Sequence, residues 1–394
     1  MANMPSGETR SVKILAHLCA RQKASRDMSG GILRYSAVHE NVQVRLYGEG
    51  APWRRLEDFR EWRPDGVIIG TAGADTVGVI ESLGCRAAVF INAAPSVRTY
   101  LRCASVYCDN QAVAEAAAGV FRSKKINHFA FVGVRSGEAW SVERGECLRR
   151  LALGENSTFS EFSFDVPARA GHRREIAALA GWIAALPKPC GIFTACDARA
   201  KDVLDAAADA GVSIPGQILV LGVDDEEFIC SQTMPSLSSV IPDFARGGYI
   251  AAETLVNLIR GGKTPPAGTF GVKGVVERLS TCDANGASRM VLRAKDFIRN
   301  HAGAIGSVEE VAKASGSSLR LLQKNFKTIT GVTLSEAIQA RRLRLVCDML
   351  RESATPISRI GEMCGFGNEG NLKKVFRRHF GCTMREYRRN PPLP

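Results

Sequence analysis

The sequence contains no long hydrophobic run, since no apolar stretch approaches the ~18 residues that a membrane-spanning helix needs. Its first ten residues, MANMPSGETR, also lack the apolar core and the small-residue cleavage site of a secretory signal. Residues 1–10 are instead expected to be disordered. These absences argue against a membrane protein, and we expect a cytoplasmic chain with no membrane partner.

Metal-binding and catalytic motifs are also missing. The 12 cysteines form no CxxC pair and no Cys/His cluster at metal-ligand spacing, so we expect buried free thiols and no metal site. There is no GxxxxGK[ST], no GxGxxG after a strand, no HExxH and no GxSxG, and the 6 histidines are dispersed. We therefore expect no catalytic residue and no cofactor. A sugar kinase or dehydrogenase with a basic helical appendage is the alternative.

The positive charge is concentrated at one end of the chain. The 394 residues carry a net charge of +12, and residues 287–394 hold 20 Lys and Arg against 9 Asp and Glu. The preceding residues hold 32 against 31 and are nearly neutral. At roughly 100–200 residues per domain, the length predicts two to four domains. A basic domain joined to a neutral body is typical of a nucleic-acid-binding module, and a solvated basic face is the alternative.

Two segments of the basic region, 307–333 and 356–383, repeat one another. In each, a small residue lies four positions before a glycine, which lets two helices cross closely at a turn where the glycine takes a positive φ. This pattern predicts helix-turn-helix motifs at 307–327 and 356–378, opened by a Ser307–Glu310 capping box and by a Thr355-Pro356 cap. The recurring residues are Val308, Val311, Ala312, Gly316, Phe326, Gly331 and Thr333, matched by Ile357, Ile360, Gly361, Gly365, Phe376, Gly381 and Thr383.

The segment between the two copies, 333–351, predicts one continuous helix of about 19 residues and about 28 Å. That length can hold two recognition helices about one DNA turn (~34 Å) apart, so that one chain enters two successive major grooves. The second helix of each motif should bury its apolar residues and leave its other faces basic. The residues expected to face inward are Leu319, Leu322, Phe326, Leu372 and Phe376.

The second copy carries a recognisable signature, Ile357, Ile360, Gly365-Phe366, Phe376, Phe380-Gly381 and Tyr387-Arg388. Through it, residues 289–391 resemble the DNA-binding domain of the AraC/XylS family of transcription regulators. The resemblance implies base contacts from both recognition helices, and Arg, Lys, Gln, Asn and Glu are suitable side chains for reading base edges. The implied base-reading residues are Arg320, Gln323, Lys324, Glu369, Asn371, Lys373 and Lys374, and the implied phosphate contacts are Ser318, Arg377 and Arg378.

Residues 11–280 alternate short apolar runs with helical patterns, which predicts repeated βαβ units and a doubly wound α/β fold. Roughly 270 residues exceed what one small sheet needs, so we expect two lobes with a ligand cleft beyond the carboxyl ends of the strands. The predicted strands are 12–18, 66–70, 87–92, 128–134, 191–195 and 218–224, with a last strand near 270–279. The predicted helices include 29–38, 111–121, 142–153, 174–186 and 199–210.

Polar side chains follow four of these apolar runs: Arg26, Asn92, Asp197 and Asp224. Each could form hydrogen bonds with a sugar. The alternative is that a polar residue at a strand end caps a helix. Trp140 is a candidate stacking platform for a sugar ring, and a buried core tryptophan is its alternative.

The run 191–240, with the segments CDARA and GVDDEE, resembles the effector domain of LacI-type regulators, which is similar to periplasmic sugar-binding proteins. The resemblance implies that Asp197 and Asp224 bind sugar hydroxyls. It also places Arg144 at the position of an effector-binding arginine and Phe244 at that of an aromatic residue lining the pocket.

A LacI-type sensor followed by an AraC-type domain is similar to the xylose regulators. Ser25 stands where these regulators have an aspartate, so a related monosaccharide is as suitable an effector as xylose. We expect a sensor domain at 11–280, a linker at 281–288 and a DNA-binding domain at 289–391. The implied protein is a homodimer that binds repeated DNA half-sites and responds to a sugar. It is expected to activate a sugar-catabolism operon together with RNA polymerase, and repression of that operon is the alternative.

Overall fold

The computed structural model describes residues 11–19, 22–47, 59–70, 80–92, 102–153, 157–164, 171–263, 267–282, 286–353 and 355–389. The segment predicted to be disordered, 1–10, lies outside these residues. The chain separates into two compact units, Met1–Glu277 and Arg278–Pro394. None of the described helices is long and apolar enough to cross a membrane.

The described strands of the first unit form two six-stranded sheets. In chain order the strands are β1 (Val12–His17), β2 (Val42–Tyr47), β3 (Gly66–Ile69), β4 (Ala87–Ile91), β5 (Arg102–Cys108), β6 (His128–Val132), β7 (Thr158–Glu161), β8 (Cys190–Thr194), β9 (Ile218–Val223), β10 (Ser238–Pro242), β11 (Gly268–Phe270) and β12 (Val272–Val276). The sheet order is β11-β5-β4-β3-β1-β2 in the N-lobe and β12-β10-β9-β8-β6-β7 in the C-lobe. The strands pair in parallel except for the antiparallel pair β10 and β12.

Seven described helices cover these sheets. They are α1 (Lys23–Val38), α2 (Asn110–Ser123), α3 (Ala139–Leu153), α4 (His172–Ala185), α5 (Asp197–Asp209), α6 (Glu227–Gln232) and α7 (Phe244–Ile259). Helices α1 and α7 cross in close contact at Gly31 and Gly248. Only glycine fits at these positions, because a β-carbon at either would overlap the backbone of the other helix. This two-lobed α/β architecture confirms the predicted fold class of the first unit.

Three segments of the described chain join the lobes, at Asp109, Asp243 and Gly271. The Asp109 N–H donates to the Phe270 carbonyl (2.9 Å) and the Asp243 N–H donates to the Gly271 carbonyl (2.8 Å). Each aspartate then caps the following helix, since its carboxylate accepts from the Ala112 N–H (2.9 Å) or the Arg246 N–H (3.0 Å). The three segments are therefore bonded to one another where the chain passes between lobes.

The six buried strands predicted from apolar runs are present, with ends that differ by one or two residues. The strand predicted near 270–279 is present as β12, whereas the short strand β11 before it was not predicted. The chain forms β11 in the N-lobe sheet, turns at Gly271 and forms β12 in the C-lobe sheet, so this segment serves both lobes.

The second unit is helical. Its described helices are α8 (Gly286–His301), α9 (Val308–Ala314), α10 (Leu319–Thr330), α11 (Leu334–Glu352), α12 (Ile357–Met363), α13 (Glu369–Phe380) and α14 (Met384–Arg389). The pairs α9–α10 and α12–α13 form the two helix-turn-helix motifs, and Gly316 and Gly365 take positive φ values of 69° and 78° in their turns. Helix α8 begins at Gly286, inside the segment 281–288 proposed as a linker.

The linker helix α11 is continuous over 19 residues, as predicted. Its first half packs with α8, α9 and α10 through Leu334 and Ile338, and its second half packs with α12, α13 and α14 through Leu343, Val346 and Leu350. The two motifs therefore have separate apolar cores that share one helix.

Two predicted helix caps are wrong. Ser307 occupies the N-cap position of α9, but its side chain makes no capping hydrogen bond, and Glu310 instead accepts from the Gly306 N–H at 3.3 Å. Pro356 itself is the N-cap of α12, so it is not the first helical residue. Capping boxes occur later in each copy, where Thr333 pairs with Glu336 and Thr383 pairs with Glu386.

Candidate functional site: a polar cleft and a DNA-binding face

Asp224 directly follows β9 at the carboxyl edge of the C-lobe sheet. Its φ of 107° is rare for a residue with a side chain, and Asp225 follows with a φ of 54°. The Asp224 N–H donates to the Val240 carbonyl (3.0 Å), which fixes the backbone. Within the described ranges, no hydrogen-bond donor reaches its carboxylate. A strained backbone that holds an unpaired carboxylate is a common feature of binding sites.

The electrostatic surroundings of Asp224 oppose its ionisation. Burial raises the pKa of its carboxyl, and the nearby carboxylates of Asp197 and Glu226 raise it further. Arg144 and Lys23 lower this pKa and partly offset the effect. A ligand that donates hydrogen bonds to Asp224 would stabilise the charged form.

Arg144 projects from α3 and is only 4% exposed. Its Nε donates to the Asn110 side-chain oxygen at 3.2 Å, its Nη1 donates to the Ala195 carbonyl, and its Nη2 lies 4.0 Å from the Cys108 sulfur. The guanidinium also lies 5.1 Å from the centre of the Trp140 ring. These contacts hold a cation in a fixed position near Asp224.

Trp140 lies beside Arg144, and its indole nitrogen donates to the Glu138 carboxylate at 2.6 Å. The ring is half-buried and packs against the main core of the unit. The cation therefore already contacts the ring that was predicted to stack on a sugar.

Asp197 begins α5 and is 1% exposed. Its carboxylate accepts from the Glu226 N–H (2.7 Å), the Ser239 hydroxyl (2.7 Å) and the Cys230 thiol (3.3 Å). It thus does not cap its own helix. Instead it holds the turn that carries Asp224, and its pKa is raised by burial. Ser239, from β10, was not recognised in the sequence because its pairing with Asp197 depends on the sheet order.

Arg26 projects from the first turn of α1 in the N-lobe and forms an ion pair with Glu226 of the C-lobe. One guanidinium nitrogen lies 3.0 Å from both carboxylate oxygens, and the Lys23 N–H donates to the same carboxylate at 3.0 Å. The side chains of Arg26 and Glu226 are 47% and 20% exposed. Glu226, two residues after Asp224, was not among the residues predicted from the sequence.

The remaining N-lobe candidates are more tightly packed. The Asn92 side-chain oxygen accepts from the Cys108 N–H at 2.8 Å, so this residue closes the end of β5. Phe244 is buried at the start of α7, with its ring centre 5.7 Å from that of Phe270. Ser25 is buried on α1. The structure thus brings together Arg144, Asp197 and Asp224, with Arg26 reaching them through Glu226.

The first recognition helix, α10, exposes a basic stripe. Leu322 and Phe326 are buried, whereas Arg320, Gln323 and Lys324 are exposed. Ser318 accepts from the Leu321 N–H at 3.4 Å and so caps the helix. The exposed Lys327 extends the stripe by one turn, although sequence analysis did not select it.

The second recognition helix, α13, has the same arrangement. Leu372 and Phe376 are buried, and Asn368 caps the helix by accepting from the Asn371 N–H at 2.7 Å. Glu369 pairs with Lys373 at 2.7 Å, which occupies two of the predicted base-reading side chains. The exposed predicted residues on this helix are Asn371, Lys373, Lys374, Arg377 and Arg378.

Comparison with known proteins agrees with both units. Residues 118–281 match a periplasmic binding protein-like domain and residues 311–390 match a helix-turn-helix domain. The chain is 29% identical to the xylose operon regulatory protein of Escherichia coli K12 over 85% of this chain and 86% of that protein. It is 38% identical to the regulatory protein SoxS of Salmonella typhimurium over 24% of this chain and 87% of that protein.

A solved structure of a xylose-binding transcription activator is similar to this chain with a TM-score of 0.60 and 26% identity, covering 97% of this chain and 98% of the other. These relatives are transcription regulators, so they do not support the alternative of a sugar kinase or dehydrogenase. With helix-turn-helix motifs in the second unit and a two-lobed sensor in the first, the chain belongs to the AraC/XylS family of transcription regulators and carries a periplasmic-binding-protein-like sensor domain.

Proposed function

We propose that this protein is a sugar-responsive transcription regulator that binds a monosaccharide in the cleft of its first unit. The observation that carries the proposal is the carboxylate of Asp224, which has no hydrogen-bond donor among the described residues and lies close to the fixed cation of Arg144. A carboxylate accepts two hydroxyl hydrogens, and a guanidinium donates to hydroxyl or ring oxygens. A neutral polyol satisfies both groups.

The effector is proposed to be a pentose or a related monosaccharide. The similarity to a xylose operon regulator supports a pentose. Ser25 supports a different hydroxyl pattern, because it provides one hydroxyl where the xylose regulators have a carboxylate. Asp224 and Arg144 are the proposed direct contacts, and Asn92, Trp140 and Phe244 are proposed to line the site. Asp197 is proposed to position Asp224 through the Glu226 turn.

The second unit is proposed to bind two DNA half-sites in successive major grooves. This proposal rests on α10 and α13, which expose Arg and Lys residues beside their buried faces, and on α11, whose 19 residues span about 28 Å. The base-reading and phosphate-binding assignments made from the sequence remain predictions for these helices.

The regulator is proposed to act as a homodimer that activates a sugar-catabolism operon and contacts RNA polymerase in the cytoplasm. Sugar can shift the protein towards its DNA-competent state only if it binds that state more tightly. The proposed domains are 11–280 for sensing, 281–288 for the linker and 289–391 for DNA binding.

The deciding experiment is a thermal-shift screen of the full chain against aldopentoses, hexoses and their acids. Because a ligand that binds only the native state raises the melting temperature, one sugar should produce a concentration-dependent increase. The same sugar should then change the affinity for duplex DNA measured by fluorescence anisotropy. No shift with any neutral sugar would refute the monosaccharide proposal. A thermal shift with unchanged DNA affinity would refute the coupling alone.

A further inference from the structure

Two arginines lie where α11 changes its packing partners. Upstream of them, Leu334 and Ile338 belong to the core of the first motif, and downstream Leu343 belongs to the core of the second. Between these apolar positions are Arg341 and Arg342, adjacent in sequence. Among the described residues no buried side chain belongs to both cores, which are joined through α11, so contacts at this point help to set how one motif is oriented against the other.

Both arginines bind the carboxyl end of α8. The Arg341 Nε donates to the Arg299 carbonyl at 3.1 Å, and the Arg342 Nε donates to the Ala302 carbonyl at 2.8 Å. The Arg342 Nη2 donates to the Ile305 carbonyl, in the turn that follows α8. The last carbonyls of a helix lack intrahelical partners and carry partial negative charge, so cations at this end are stabilising.

Arg342 also abuts the turn of the second motif. A β-carbon at Gly365 would lie 2.9 Å from the Arg342 Nε and 2.5 Å from the Gly303 carbonyl oxygen. In the reverse direction, a β-carbon at Gly303 would lie 2.7 Å from the Met363 carbonyl. The turn after α8 and the turn between α12 and α13 therefore pack backbone against backbone, with the guanidinium between them.

We propose that Arg342 is a positioning residue that fixes the relative orientation of the two helix-turn-helix motifs and thereby sets the spacing of half-sites that the protein accepts. A planar guanidinium bonds two carbonyls of one motif while its edge contacts the turn of the other, which a lysine ammonium cannot reproduce. The inference rests on the two-groove DNA contact proposed above.

The test measures spacing preference with the full chain. A DNA site is first selected from a random duplex library with the wild-type protein, and 5 bp are then inserted between its half-sites, which turns one half-site by about half a helical turn. The quantity compared is the ratio of dissociation constants with and without the insertion. We expect a ratio of at least about 30 for the wild type and below about 5 for Arg342→Gln.

Arg344→Gln is the matched control, because Arg344 lies two residues further along α11 and is exposed. It should keep the wild-type ratio. If Arg342→Gln also keeps that ratio, the proposed positioning role of Arg342 is wrong even if the variant melts at a lower temperature. If the wild type itself tolerates the insertion, the proposed contact with two grooves is wrong, and the proposed role of Arg342 is wrong with it.

Arg342→Lys decides the question if Arg342→Gln does not fold, because lysine keeps the charge at the end of α8 and most of the aliphatic stem. A reduced ratio for Arg342→Lys supports the proposal, and a wild-type ratio overturns it.

Discussion

Asp224→Asn should abolish the sugar response without weakening the fold. The substitution preserves the shape of the side chain but removes its charge, in a place where burial and the carboxylates of Asp197 and Glu226 already oppose ionisation. Because no donor among the described residues reaches the Asp224 carboxylate, the ligand-free protein loses no hydrogen bond. The unfolding free energy should therefore stay unchanged or rise.

The loss of affinity follows from the hydrogen bonds that the carboxylate would accept from the ligand. A hydrogen bond to a charged group contributes about 1.5–3 kcal/mol, and an amide can replace only one of two acceptor oxygens. Losing about 3 kcal/mol weakens binding on the order of 100-fold, since every 1.4 kcal/mol is tenfold. Isothermal titration with the sugar found in the screen measures this change directly.

Asp197→Asn is the matched comparison. Its amide group would face the Glu226 N–H or the Ser239 hydroxyl, whose hydrogen bonds of 2.7 Å are lost or reversed, so about 1–3 kcal/mol of stability should disappear. Chemical denaturation followed by circular dichroism separates the two variants. If Asp224→Asn binds sugar with an unchanged dissociation constant, or if it destabilises the free protein as much as Asp197→Asn does, the assignment of Asp224 to the ligand is refuted.

Three further predictions concern pH, the ion pair between lobes and DNA reading. Burial raises the pKa of Asp224 above its value in the unfolded chain, so the folded protein binds more protons between these two pKa values. The stability of the wild type should therefore fall as pH rises through this range, by at most about 1.4 kcal/mol per pH unit for one group. Melting temperatures measured from pH 5 to 8.5 should depend less on pH for Asp224→Asn than for the wild type. Arg26→Gln and Glu226→Gln should show a coupling below about 1 kcal/mol that vanishes at high salt, because the pair is partly exposed, and a coupling that persists in 1 M salt would contradict this. Lys374→Ala should relax base preference at one position at a cost of about 1–3 kcal/mol, as competition assays with altered sites would show. Arg377→Ala should weaken binding to all sequences and reduce the slope of log affinity against log salt concentration by about one. The opposite pattern would exchange the two assignments.

The strands that the sequence revealed are those buried on both faces, such as β4 and β8, because an apolar run needs no partner to be recognised. The missed strands have mixed patterns. Both β2 and β7 lie at sheet edges and expose side chains, and β10 begins with two buried serines. One of these, Ser239, is satisfied by Asp197, from a segment 42 residues away. Such a pairing cannot be read from local composition.

In the candidate site, too, residues next to apolar runs were predicted and contacts between distant segments were not. Arg144, Asp197 and Asp224 were predicted from the sequence, and the structure places them in one region. Two features were not predicted: the hydrogen bonds to the Asp197 carboxylate from Glu226, Ser239 and Cys230, and the ion pair between Glu226 and Arg26 across the cleft. These contacts arise where different strands and lobes meet, and a single sequence contains no direct signal for them.

The three segments that join the lobes are expected to bear on the apparent affinity of the sensor and not on its choice of ligand. Asp109, Asp243 and Gly271 are bonded to one another or to their neighbours at the crossing. We expect a substitution there to change the free energy of closing the lobes, and where it leaves the pocket intact every sugar should gain or lose apparent affinity by the same factor. Substitutions at the crossing are therefore expected to change the sugar concentration at which the protein responds, and substitutions in the proposed pocket to change which sugar it prefers.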